Sequence, residues 1–230
     1  IYLSPSIDIV HENIETESSA STAMKKMDGD YFNSNFTYGI TVDKRNQSWQ
    51  PTEGYKASFF QALPLIQDSS SISNRFNISK YHDFSEDVIG SLKFQFRTIH
   101  GTDGDVRVTD RQYISSKRLR GFVRGKVGPK DGADWIGGNY VTGLSAEAAL
   151  PNLLPESYKT DIGLYLDTGN VWGVDYSDSL DDSNKIRSSV GIAANVFTPV
   201  GPLSWTLSQA ITKASTDVKE TFNFNIGTSF

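Results

Sequence analysis

Apolar and polar residues take turns along most of this chain, and that alternation limits its fold more than any other feature. From 186 to 197 the even positions Ile186, Val190, Ile192, Ala194 and Val196 are apolar, set against Arg187, Ser189, Gly191 and Asn195. From 203 to 211 the odd positions Leu203, Trp205, Leu207 and Ile211 carry the apolar face. A period of two belongs to β-strands, whose successive side chains point to opposite faces. Val88, Leu92, Phe94 and Phe96 alternate with Ser91, Lys93, Gln95 and Arg97, and Phe36, Tyr38, Ile40 and Val42 with Asn35, Thr37, Thr41 and Asp43. Phe222, Phe224, Ile226 and Phe230 do the same against Asn223, Asn225 and Ser229. With weaker runs near 1–10, 55–63, 72–81, 139–150 and 158–172, the pattern predicts about ten strands.

The connections alternate as well. The segments 82–87, 151–157 and 198–202 are short, whereas 11–33, 99–137 and 173–185 are long and polar. If the strands run up and down, short and long loops fall on opposite ends, as in outer-membrane barrels. A soluble β-sandwich is the competing fold, but the polar faces carry Lys93, Arg97, Glu147, Asp161 and Asp167, charges too costly for a dry core. A wet lumen would hold them. No run approaches the roughly 20 apolar residues of a spanning helix, and the mean hydropathy of −0.38 suits alternating strands. The expectation is therefore an all-β, antiparallel, up-and-down transmembrane β-barrel, with 1–230 as one domain. Outer-membrane lipid would surround it.

Charge narrows the partners. The net charge of −5, with Lys and Arg scattered apart from a local knot at 117–126, argues against a nucleic-acid partner. The chain has no cysteine, and its three histidines stand far apart, so neither a thiolate site nor a zinc site is expected. No cofactor is expected either. The start, "IYLSPSIDIV", has neither Met nor a basic and apolar leader, which reads as a processed or truncated beginning.

Asp167-Thr168-Gly169 behind an apolar run resembles the way aspartic proteases present a carboxylate. Such an enzyme needs two of them sharing a proton, and this chain has one, followed by Asn170. The alternative is a buried anion awaiting a cation, and the long loop offers one. Glu147 and Asp167 both fall on the polar phase of their strands, and Arg120 within 99–137 carries a planar fork suited to carboxylates. The phase of the strands turns both carboxylates toward the lumen, within reach of a cation on that loop, and leaves both readings of Asp167 open.

Leu119-Arg120-Gly121-Phe122 resembles the Val-Arg-Gly-Phe/Tyr signature in the long sixth loop of BamA-type barrel assembly factors, a superfamily that includes two-partner-secretion transporters and the mitochondrial sorting-and-assembly barrel. The order of further motifs agrees: Gly128-Pro129, "GGN" at 137–139 ahead of Glu147, "DTG" at 167–169, "GPLSWTLSQAI" and the closing "FNFNIGTSF". One departure is Ile114-Ser115 where the family has Gly-Gly. The resemblance implies that 99–137 is an extracellular loop folded into the lumen, with Leu119, Arg120, Gly121 and Phe122 at its tip and Glu147, Tyr165, Asp167 and Gly169 on the wall. The family barrel has about sixteen strands behind soluble POTRA repeats, so this chain is expected to be the C-terminal portion.

Phe222, Phe224, Ile226 and Phe230 look like the family's terminal assembly signal, and Gly227 would weaken pairing near the end of that strand. The implied function is insertion of client outer-membrane proteins through a lateral seam between first and last strands, in a Gram-negative outer membrane and with accessory lipoproteins. A two-partner-secretion pore, a passive porin and a soluble sandwich binding module are the alternatives.

Overall fold

The computed structural model describes residues 1–180, 182–198 and 201–226. Among the described residues ten strands form one antiparallel sheet, in which neighbours in the following order are paired. They are β1 (Tyr2–Ile14), β2 (Gly29–Asp43), β3 (Gly54–Gln67), β4 (Ser71–Ser85), β5 (Val88–Gly101), β8 (Tyr140–Leu150), β9 (Thr160–Trp172), β10 (Arg187–Thr198), β11 (Gly201–Thr212) and β12 (Phe222–Ile226). Between β5 and β8 lies a two-stranded hairpin, β6 (Lys130–Asp131) and β7 (Asp134–Trp135), and a single helical turn, α1 (Thr22–Lys25), joins β1 to β2. Most of the ten run to 11–15 residues, about twice the usual globular strand and long enough to cross hydrocarbon at a tilt. Gly227 and Phe230 lie outside the described residues.

The register sorts side chains into an inside-out pattern. Lys93, Ser145, Asp167 and Ser189 face one another across β5, β8, β9 and β10, with Ser91, Glu147, Tyr165 and Gly191 in the row beside them. Gln95, Ser145, Asp167 and Ser189 on this concave face are buried. The apolar set points the other way, and Leu164, Leu166, Val190, Ile192, Leu207 and Leu92 are exposed. In water that arrangement would forfeit the burial that drives folding. Against lipid it is the stable one.

Contacts across the concave side show how far the sheet curls. In the segment between β5 and β8, Arg107 reaches Glu12 on β1 and the ring of Tyr31 on β2. The same segment pairs backbone with the β11–β12 connection, where Val123 N donates to Val218 O at 2.9 Å. At the opposite end the β2–β3 turn swings over the mouth, and Gln50 donates to Asp161 on β9 at 2.8 Å. That turn is braced by the fork of Arg45 on Asp43.

Two expected loop boundaries move. The segment 11–33 contracts to 15–28, because β1 and β2 stay in register out to Ile14↔Gly29 with Asn13 bonded to Asp30. Likewise β4 continues to Ser85 through a register shift, leaving a two-residue turn at 86–87.

The outer face carries polar side chains as well. Tyr38 donates to Gln61 (2.8 Å), Gln61 to Asn74 (2.7 Å) and Asn74 to Thr98 (3.1 Å), a ladder running from β2 to β5 amid exposed aromatics. Every rung satisfies its neighbour, which is what makes such groups tolerable next to hydrocarbon.

Candidate functional site

The segment between β5 and β8 folds back along the concave face. A turn closes at Ser115, whose carbonyl accepts from Arg118 N and Leu119 N. Leu119, Phe122, Val127 and Ile114 then pack on Val141 and Val171, a small apolar core on an otherwise polar wall. Ile114 fits because the wall is bare beneath it. A Cβ on Gly169 would lie 2.6 Å from Ile114 Cδ1 and 2.8 Å from Thr142 O.

This packing delivers Arg120 to the acids. Its Nε and Nη2 donate to the two oxygens of Asp167, each at 2.8 Å, as a two-pronged fork. Nη1 donates to Glu147 Oε2 and Nη2 to Ser145 Oγ, both at 3.0 Å. The guanidinium carbon lies 3.4 Å from the centroid of the Tyr165 ring, which adds a cation–π contact. Tyr165 is itself fixed by a hydrogen bond with Ser208 on β11. The backbone joins in: Arg120 N donates to Asp167 at 3.0 Å, and Arg120 O accepts from Ser189.

Asp167 is wholly buried and takes four donors: Arg120 Nε, Nη2 and N, and Ser145 Oγ. A carboxylate has about four acceptor sites. All are filled, so this aspartate holds a cation and has no lone pair left for a shared-proton dyad. Burial works against the charge on Arg120, but the bonds to Asp167 and the charges of Glu147 and Asp167 outweigh it, and the guanidinium is held above its ordinary pKa. Such charge-assisted, forked bonds are the strong ones.

Gly121 supplies the turn after Arg120. Its φ of +88° is left-handed, and an added Cβ would stand 3.1 Å from Ser208 Cβ and 3.2 Å from Ser189 Cβ. Gly121→Val is expected to cost about 2 kcal/mol or more from backbone strain and crowding together. The check is a lower midpoint of heat-modifiable gel mobility in detergent, and a midpoint equal to wild type would refute it.

Further arginines are buried in sites that the sequence analysis did not anticipate, Arg187 and Arg111 among them. Arg187, at the start of β10 and without exposure, spends all five N–H groups on Asp217, Asp182, Asn170 and Lys185 O. Arg111 bonds Asp175 and Val106 O, while Asp175 also accepts from Val106 N and Asn139. The position of Arg187 in the polar phase was a usable signal. Its acids, on aperiodic connections, gave none.

Phe222, Phe224 and Ile226 stand on the opposite face, exposed, with Phe224 stacked on Trp205. The structure therefore brings Leu119, Arg120, Gly121, Phe122, Glu147, Tyr165, Asp167 and Gly169 together and sets the terminal-strand residues apart from them.

Comparison with known proteins follows the same lines. The model of the Omp85 superfamily domain matches residues 3–230. The outer membrane protein assembly factor BamA of Neorickettsia risticii (strain Illinois) is 26% identical over 222 residues, covering 94% of this chain and 30% of that protein. BamA of Neisseria meningitidis serogroup B (strain MC58) is 27% identical over 139 residues, 49% of this chain and 17% of that one. In three dimensions the chain resembles the crystal structure of BamA from Haemophilus ducreyi lacking POTRA domains 1–3, with a TM-score of 0.78 at 23% identity over 85% of this chain and 42% of that one. The chain spans less than a third of the length of these curated relatives.

Proposed function

The chain belongs to the Omp85 superfamily, and on that premise we propose that it is the client-inserting barrel portion of an outer-membrane protein assembly factor in a Gram-negative bacterium. The observation that carries this reading is the clamp of Arg120 on Asp167 and Glu147. In this reading the long loop, 99–137, is an extracellular plug held by that clamp within the polar concavity, and the edges of the sheet are the places where backbone can pair with something new. Clients are outer-membrane proteins, the class named by the relatives, with accessory lipoproteins as further partners.

Insertion in this reading needs no bond-making residue. β12 pairs on one side with β11, from Leu203 to Leu207 among the described residues, and β1 pairs on one side with β2. An edge strand in hydrocarbon offers N–H and C=O groups that are costly to leave unpaired. A client strand can satisfy them by β-augmentation, its alternating side chains setting the register. Gly227 and the aromatic terminal residues belong to this seam by their place in the sequence.

The test is Arg120→Ala in the full-length protein, reconstituted in lipid vesicles. Client folding is expected to slow about tenfold or more, because releasing the loop shifts the population of the docked state. Unchanged client folding with a demonstrably released loop would defeat the reading, and release of soluble client on the far side would assign a secretion pore instead.

A further inference from the structure

Below the clamp lies a cavity of about 240 Å3, bounded by the loop at Ser115–Arg120 and by wall strands from β4 to β12. Its charges do not balance. Lys93, Arg97 and Arg118 line it, and Arg75 faces Arg97 directly across the β4–β5 pair. Like charges opposed in a sheet repel. Burial holds the Arg118 guanidinium, on the loop, below its ordinary pKa. Among the described residues no carboxylate lies within ion-pair distance of these four cations. The acid lining the cavity, Glu147, is already bonded to Arg120.

Orphaned polar atoms mark the same place. Arg97 Nε, both amide atoms of Gln95 and the hydroxyl of Thr206 are buried without a hydrogen-bond partner, and all three residues line the cavity. Gln95 is only 1% exposed. Buried polar groups are ordinarily paired, and guanidinium forks are shaped for oxyanions.

We propose that this cavity binds a small, soluble, multivalent oxyanion of the phosphate class, held between Arg118 on the loop and Arg97 and Lys93 on the wall. The anion is then a removable bridge. It ties the ascending limb of the loop to β5, next to the permanent clamp at Arg120. A lipid headgroup is the less fitting source, because the cavity opens on the polar interior and the lipid-facing side of the same strands is apolar. The proposal stands on charge and geometry, and can fail without touching client insertion.

The experiment is calorimetric titration of the detergent-solubilised full-length protein with inorganic pyrophosphate at low ionic strength. Saturable binding near one per chain is expected, weakened about tenfold or more in Arg97→Gln and in Arg118→Gln and unchanged in Lys213→Gln, an exposed lysine elsewhere. Pyrophosphate should also slow tryptic cleavage within 99–137 in the wild type. If either variant fails to show heat-modifiable mobility, Lys93→Gln, at the third cation lining the cavity, takes its place. No saturable heat in the wild type, or equal affinity in the folded arginine variants, would mean that water alone solvates these cations and would overturn the proposal. Equal loop protection by phosphatidylglycerol vesicles without pyrophosphate would overturn the soluble source.

Discussion

Asp167→Ala is expected to lower stability by about 3–5 kcal/mol and to open 99–137 to protease. The substitution removes four accepted hydrogen bonds at once. It also strands the Arg120 guanidinium beside a hole, with Glu147 as its remaining acid. Most of the loss is the penalty of a buried cation left unmatched, which is why breaking such a pair costs more than the pair contributes. Arg120→Leu/Asp167→Leu should accordingly be more stable than Asp167→Ala alone. Denaturant midpoints in detergent, read by heat-modifiable mobility and paired with limited proteolysis, measure both. Asp167→Ala with wild-type stability, or a double variant no more stable than Asp167→Ala, contradicts the clamp.

Arg187→Leu is expected to be about as costly, roughly 3–5 kcal/mol, but to loosen a different part of the molecule. Arg187 joins β10 to the β11–β12 connection through Asp217 at 2.9 and 3.0 Å, and to the 173–186 connection through Asp182 at 2.6 Å. Asp217 in turn accepts from Ala214 N and from Gly128 N on the long loop. Losing the arginine leaves two acids without their cation, and new protease sites should open at 173–186 and 213–221 while the Arg120 clamp stays closed. Arg187→Lys should rescue little, since an ammonium cannot reproduce five donors in a planar fork. Cleavage confined to 99–137 would show that this site and the Arg120 site act as one unit.

The sequence exposes the strands because the wall is wet inside and oily outside. Each strand must alternate to serve both solvents, so strand count and facing were readable at positions such as Leu92/Lys93 and Phe96/Arg97. The same phase put Glu147 and Asp167 on one face. The limits of the hairpins were harder to read. β1 is exposed along both faces for ten residues, from Tyr2 to His11, and includes Ser4, Pro5 and Ser6, so it carries weak alternation and owes its length to β2. The buried sites of Arg187 and Arg111 depend on acids 30 and 64 residues away. No local period connects residues so distant. The departure at Ile114 was visible in the sequence, but its accommodation over Gly169 needed the register of β8 and β9.

The hydrogen-bonded row Tyr38–Gln61–Asn74–Thr98 acts as a key for strand alignment. Alternation alone forbids a slip by one residue, which would turn every side chain to the wrong solvent. It does not forbid a slip by two, which keeps each face intact. Sliding β3 or β4 by two positions would part Gln61 or Asn74 from both neighbours and leave amides unpaired toward hydrocarbon, at several kcal/mol apiece. Four polar side chains thus single out one alignment from a set that hydrophobicity leaves equivalent.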